Sequence, residues 1–271
     1  MAPVKVIKNY HILRNYFKKR FVSKFKRKSK VQCIDEKNID VILSQHPASE
    51  IFIHAGLSDI KSGLNVSNPT DWVVTKFSNY YSSILAPGFT PSFRTSGIYH
   101  KLFSQPEYGT FSKQFLSYAN SRTNDAIHSI LVHGNYSFEG CRHNLSFGYE
   151  SCFDKIDNEN ILIANVGTSD IVFAQLHHVE SVYKVPYLID SYHKGIIYYN
   201  ETEFSEVIQK DYAYTINKMT WNRKKIRHDL IHDGVLTEYD LSGLKIRFFR
   251  AKEFREAIGL RIKNDPYYLI S

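Results

Sequence analysis

Residues Asn160 to Gly167 form an apolar run, Asn-Ile-Leu-Ile-Ala-Asn-Val-Gly, that reads as a strand stopped by a glycine. About ten residues later the chain reaches Leu176-His177-His178-Val179-Glu180, which reads as the start of a helix. A similar order occurs earlier. Glu50-Ile51-Phe52-Ile53 runs into the small residues of His54-Ala55-Gly56-Leu57-Ser58, and Ser83-Ile84-Leu85-Ala86 runs into Pro87-Gly88-Phe89-Thr90. Strand, glycine, loop and helix in that order constrain the chain to an α/β (α+β) class, in which sites gather beyond the carboxyl ends of strands. Helices are expected over Ile39 to Leu43, Asp71 to Tyr81 and Phe111 to Tyr118, with a long loop holding Pro91, Gly97, Pro106 and Gly109. In the last third, Tyr187-Leu188-Ile189 and Ile196-Ile197-Tyr198-Tyr199 predict a hairpin, and charged helices are expected from about Glu203 and from Ala251.

A chain of 271 residues with 43% apolar side chains can bury one substantial core. It has no apolar run long enough to span a membrane and a basic rather than apolar N-terminus, so a cytoplasmic protein is expected. Cys33, Cys141 and Cys152 form no C-x-x-C pair, which argues against a disulfide framework or a zinc site, and no metal is expected.

The net charge of +8 belongs to one end. Residues 1–30 hold 11 of the 35 Lys and Arg and no acid, leaving 24 basic against 27 acidic groups in the rest. Tyr10, Leu13, Phe17, Phe21 and Phe25 fall at helical spacing among those lysines and arginines, so a basic amphipathic helix is expected over 1–34 and a catalytic domain over 35–271, with a smaller lobe from about residue 187. Two readings of the helix stay open: a peripheral anchor on the anionic inner face of a membrane, or a stripe packed on the body or on a second subunit of an oligomer. No nucleic-acid partner is expected, because nothing resembling a recognition module follows the basic run.

His177 and Glu180 stand three residues apart, on one face of a helix, where a carboxylate can hold an imidazole in one tautomer. A histidine so held can take a proton near neutral pH and serve as a general base. The same spacing also makes ordinary structural ion pairs. His177 and His178, being adjacent, cannot face one ion from a helix.

Several separated motifs together resemble the aminoglycoside 3-N-acetyltransferase family. An apolar strand followed by His-Ser-Ser-Leu is similar to Ile53-His54-Ala55-Gly56-Leu57-Ser58, and Pro-Thr-Phe-Thr to Pro87-Gly88-Phe89-Thr90. Arg-Ser-x-His-Pro-x-x-Ser is similar to Arg122-Thr123-Asn124-Asp125-Ala126-Ile127-His128-Ser129, followed by Gly134. Phe-Gly-x-x-Ser-Pro is similar to Phe147 through Cys152, Leu-His-x-x-Glu is met in full at Leu176 to Glu180, and a late Asp-Pro recurs at Asp265-Pro266. The resemblance covers about Asp40 to Ser271 and departs from the pattern at Ala55, Gly56, Asp125, Ala126 and Cys152.

The resemblance implies a mixed central sheet flanked by helices, with a smaller C-terminal β/helical lobe, and transfer of an acetyl group from acetyl-CoA to a sugar amine. His177 would be the base oriented by Glu180, with the hydroxyl of Thr123 or Ser129, or amides after His54, facing the oxyanion. Arg122, Ser129 and the loop His54, Ala55, Gly56, Leu57 and Ser58 would hold CoA, and Phe89, Thr90 and Asp125 the acceptor, Asp125 either pairing with its amine or capping the segment that follows. An enzyme of polycationic aminoglycosides is expected to present many acidic residues, and the body is only net −3. A different acceptor is therefore expected, and the resemblance, through relatives that acylate nucleotide-linked amino sugars for O-antigen and other surface polysaccharides, implies a nucleotide-linked amino sugar. The alternatives are antibiotic acetylation and a non-catalytic membrane-associated module.

Overall fold

The computed structural model describes residues 31–216 and 219–271. Of the amphipathic helix expected over 1–34, residues 1–30 lie outside the described residues, and 31–34 are not helical.

Asp35 caps α1 (Glu36–Ser44) by accepting the Lys37 amide at 3.0 Å, and β1 (Glu50–Ala55) then leads into α2 (Leu57–Leu64). Asn68 and Pro69 open α3 (Pro69–Ser78), the expected helix displaced towards its cap, and β2 (Ser83–Pro87) follows. The expected loop contains α4 (Phe93–Ser96) and β3 (Ile98–His100). Next come α5 (Thr110–Phe115), β4 (Ser121–Arg122), β5 (Ile130–Gly134), α6 (Cys152–Asn158), β6 (Leu162–Val166) and α7 (Gln175–Val182). The last third holds β7 (Leu188–Tyr198), β8 (Phe204–Tyr214), α8 (Arg223–His232), β9 (Thr237–Leu241), β10 (Leu244–Arg250) and α9 (Ala251–Asn264).

Two sheets result. The larger runs β4-β5-β2-β1-β6-β10-β9, with β1 parallel to both β2 and β6 at its centre and antiparallel strands outside. Every residue of β2 and β6 is buried, which is why both read as continuous apolar runs: helices cover both faces of a parallel centre. Phe153 and Ile156 of α6, Leu176 and Val179 of α7, and Phe254 and Ile258 of α9 belong to one core; Ile39, Val73, Phe77 and Phe115 from α1, α3 and α5 belong to the other. The smaller sheet, β3-β7-β8, is dominated by an eleven-residue antiparallel ribbon in which Leu188 faces Tyr214 and Tyr198 faces Phe204.

That ribbon corrects two expectations. Tyr187-Leu188-Ile189 and Ile196 to Tyr199 were expected as two arms of a hairpin, but they bracket a single strand; Gly195 between them marks close packing, since a Cβ there would collide with the Gly97 carbonyl and the Phe93 ring. The helix expected from Glu203 is β8. Its charges suggested an exposed helix, yet burial follows a period of two, with Gln209 and Asp211 turned inward.

At the carboxyl ends of β1 and β6 the chain exits touch: the Gly56 amide donates to the Val166 carbonyl at 2.8 Å, and a Cβ on Gly56 would strike the Gly167 carbonyl. Among the described residues no helix is long and apolar enough to cross a membrane.

Candidate active site

A cavity of about 720 Å³ opens beyond these strand ends. His54 and Ala55 of β1 and Pro87 of β2 lie on one side; Ser191, His193, Tyr212 and Tyr214 from the ribbon close the other. His177 enters from the first turn of α7, its ring 4.6 Å from that of Trp221 and 5.5 Å from that of Phe147, between centroids. His178, the next residue on the helix, turns away into the protein, with Nε2 3.4 Å from Asp157.

The His177–Glu180 pair is present but indirect. Nδ1 of His177 is 3.7 Å from Oε2 of Glu180, while the Tyr214 hydroxyl lies 3.0 Å from Nδ1 and donates to Oε2 at 2.8 Å. The fully buried Glu180 also accepts from Trp221 Nε1 at 2.8 Å and from the Tyr187 hydroxyl at 3.2 Å. Burial, with Glu180 beside it, raises the pKa of Tyr214 and keeps its proton in place. Because that proton is spent on Glu180, the phenol oxygen accepts from His177 Nδ1–H, and the Nε2 lone pair is left for the cavity. Glu180 thus fixes the tautomer through Tyr214, a correction to the direct contact expected from spacing.

A second imidazole lines the same cavity. The ring of His128 is 6.2 Å from that of His177 and meets Phe89 edge-on at 4.9 Å. Its Nδ1 is buried without a hydrogen-bond partner, 3.7 Å from Oδ1 of Asp211, and Arg94 clamps Asp211 through Nε at 2.8 Å and a terminal nitrogen at 2.6 Å. Burial drives the pKa of His128 down to about 3, so the ring stays neutral. At the end of β1, burial and then the charge of Arg223 lower His54 to about 3 as well, and its Nε2 also lacks a partner. The cavity is lined by two arginines and four histidines, and among the described residues no carboxylate side chain lines it.

No family model matches the sequence, and no curated protein matches it. Solved structures do match in shape. Aminoglycoside acetyltransferase AAC(3)-IIb superposes with a TM-score of 0.69 at 13% identity, over 87% of this chain and 98% of that one. AAC-IIIb in its binary complex with CoASH gives 0.68 at 12%, over 83% and 93%. A mutant of AAC(3)-IVa in complex with a gentamicin gives 0.64 at 10%, over 88% and 91%. The chain has the fold of the aminoglycoside 3-N-acetyltransferases.

On this acetyltransferase fold, the sequence-derived site residues separate into two groups. His54, Ala55, Phe89 and His177 line the cavity, and Glu180 supports it from behind. The others form a hydrogen-bonded frame or open elsewhere. Arg122, expected at a CoA phosphate, is 5% exposed and spends its N–H groups on Ser129 Oγ and on the Gly88, Lys101 and Ser104 carbonyls. Ser129 donates to the Gly88 carbonyl at 2.7 Å, and Thr123 Oγ1 accepts the Ile130 amide at 2.9 Å, so neither expected oxyanion hydroxyl lines the cavity. Thr90 is tied to the Ala126 carbonyl at 2.7 Å. Asp125 is buried, its carboxyl pushed up to about 7 by desolvation, and it accepts the Ile127 and His128 amides: it caps the segment that follows. Gly56 spends its amide on Val166, while Leu57 and Ser58 line a separate surface groove with Lys61 and Gln114. Cys152 is buried, and Cys141 together with burial raises its thiol, so it is unsuited to carrying an acyl group.

The sequence reading missed His128, Asp211, Arg94, Tyr214, Trp221 and Arg223. Only His128 carried a signal, standing three residues after Asp125 in a motif already singled out.

Proposed function

We propose that this chain is an acetyl-CoA-dependent N-acetyltransferase acting on the amino group of a sugar, most simply a nucleotide-linked amino sugar, with direct transfer and His177 as general base. One observation carries the reading: His177 lines a cavity at the ends of parallel strands with its Nδ1 at the Tyr214 hydroxyl, which in turn donates to Glu180. The fold adds support, since a structure of this shape is known with CoASH bound.

An ammonium has no lone pair, so the acceptor must lose a proton before or as it attacks. His177 Nε2 takes it, and the imidazolium is stabilised through Tyr214 by Glu180. Acetyl-CoA would supply an acetyl thioester: as the C–N bond forms the C–S bond breaks, and CoA leaves as the thiol with one of the two protons the ammonium gives up, the other going to solvent. Ala55 at the end of β1 would lie along the donor. The ring of Phe89 and the closing ribbon shield the reacting groups from water.

Acylation of an aminoglycoside is the second reading, favoured by the ligands of the structural neighbours. A polycation is poorly matched to a cavity lined by arginine and histidine, which suits a phosphate-bearing acceptor. The deciding experiment follows thiol release from acetyl-CoA with nucleotide-linked amino sugars and aminoglycosides side by side. Turnover of the former is expected; turnover confined to aminoglycosides, or none with any sugar amine, overturns the reading. Eleven basic residues in 1–30 support peripheral attachment to an anionic cytoplasmic membrane face. Co-sedimentation with anionic liposomes that survives deletion of residues 1–30 would remove that role.

A further inference from the structure

The first turn of α8 reads Arg223-Lys224-Lys225 and contains no acid. Three cations at the positive end of a helix dipole are mutually unfavourable unless an anion joins them. The Asn222 side chain caps the helix by accepting from Lys225 N, so capping is already provided. Arg223 lines the cavity and stacks 5.8 Å from the Trp221 ring. Its single hydrogen bond among the described residues is a long one, 3.4 Å from a terminal nitrogen to the Ile171 carbonyl. Burial lowers its pKa and the charge of Asp170 only partly offsets that. Arg94, the other cavity arginine, is committed to Asp211. A second observation points to a ligand here: His54, 7% exposed, faces the same cavity with Nε2 unpartnered and feels the charge of Arg223.

We propose that Arg223 at the N-terminus of α8, with His54, forms a phosphate-binding subsite that holds the sugar-linked phosphate of the acceptor. The guanidinium supplies forked N–H donors, the first-turn amides add theirs, and a neutral imidazole can present an N–H by choice of tautomer. The acceptor is favoured over CoA by reach. The His177 ring lies 4.6 Å from Trp221 between centroids and Arg223 Cζ lies 5.8 Å from the same ring's centroid, so base and guanidinium flank one indole and a sugar with its phosphate can span them. The diphosphate of CoA lies a whole pantetheine arm away from its thioester. This deepens the acyl-transfer reading and rests on it for the identity of the ligand, while phosphate binding itself can be measured without turnover.

Inorganic pyrophosphate, titrated into the full chain at constant ionic strength, is expected to change the Trp221 emission saturably, with chloride as control. Arg223→Gln should weaken that binding about tenfold or more, and Arg223→Lys, which keeps the charge, should weaken it less. Absence of saturable binding to the wild type, or equal binding by Arg223→Gln in a folded protein, overturns the subsite. In the kinetic arm, Arg223→Gln should raise KM for a nucleotide-linked amino sugar about tenfold and leave a smaller change in KM for acetyl-CoA. A rise in the acetyl-CoA KM alone overturns the assignment to the acceptor. Pyrophosphate binding without any acyl transfer would instead sink the enzymatic reading and leave the subsite standing.

Discussion

Two of the imidazoles that line the cavity, His177 and His128, each have a buried carboxylate behind them, yet the two are built differently. His177 reaches Glu180 through a tyrosine hydroxyl whose proton is already committed, so every link is a hydrogen bond of 3.0 Å or less. His128 stands 3.7 Å from Asp211 with no intermediary, and Asp211 is itself neutralised by Arg94. A carboxylate committed to an arginine stabilises a nearby imidazolium less than one that accepts only neutral donors. The first arrangement suits the proton acceptor proposed for His177; the second makes a ring held neutral, suited to accepting a hydrogen bond. Equal proximity to the cavity therefore does not mean equal chemistry.

The largest effect should follow removal of the first ring. His177→Ala is expected to lower kcat about 10²- to 10⁴-fold, read as initial rates of thiol release. If His128→Leu costs more than His177→Ala, the roles are reversed. Tyr214→Phe should come next, removing the link while leaving both ends in place. Loss of about 1–1.5 kcal/mol of hydrogen bonding corresponds to roughly tenfold in kcat. An unchanged rate would mean that Glu180 acts on His177 directly across 3.7 Å. His128→Leu should cost about three- to tenfold, chiefly in the KM of the acceptor, because a hydrogen-bond acceptor is lost but no base.

The smallest effect is on stability. The pKa values of His54 and His128 are lowered from 6.5 to about 3 in the folded chain. Below pH 6.5 the unfolded chain therefore takes up protons that the folded chain refuses, and stability falls as the pH drops from 6.5 towards about 3. Thermal melts across that window should show the fall, and His128→Gln should flatten part of it. An identical slope in the variant would indicate that His128 is not held neutral by the fold.

The strands that frame the cavity were legible because β1, β2 and β6 are covered on both faces, and a doubly covered strand needs apolar residues without alternation. His177 was legible because its carboxylate lies on the same helix. What fixes its tautomer was not, since Tyr214 is 37 residues away and arrives only through the register of the ribbon. Arg122 was misjudged for a related reason. Its charge suggested a phosphate, but four acceptors, three of them backbone carbonyls, surround it, and carbonyls leave no mark in a sequence. In β8 the acidic and basic residues concealed an alternation that Gln209 and Asp211 complete only when a polar residue is allowed to be an inward one.

Glu180 accepts from Tyr187, Tyr214 and Trp221, and all three follow His177 in the chain. During synthesis the proposed base is therefore made first and remains without a fixed tautomer until the ribbon and the segment leading into α8 have docked. Catalytic competence becomes a late event of chain growth, and a prematurely released chain ending before Trp221 would carry the histidine without the setting that makes it a base.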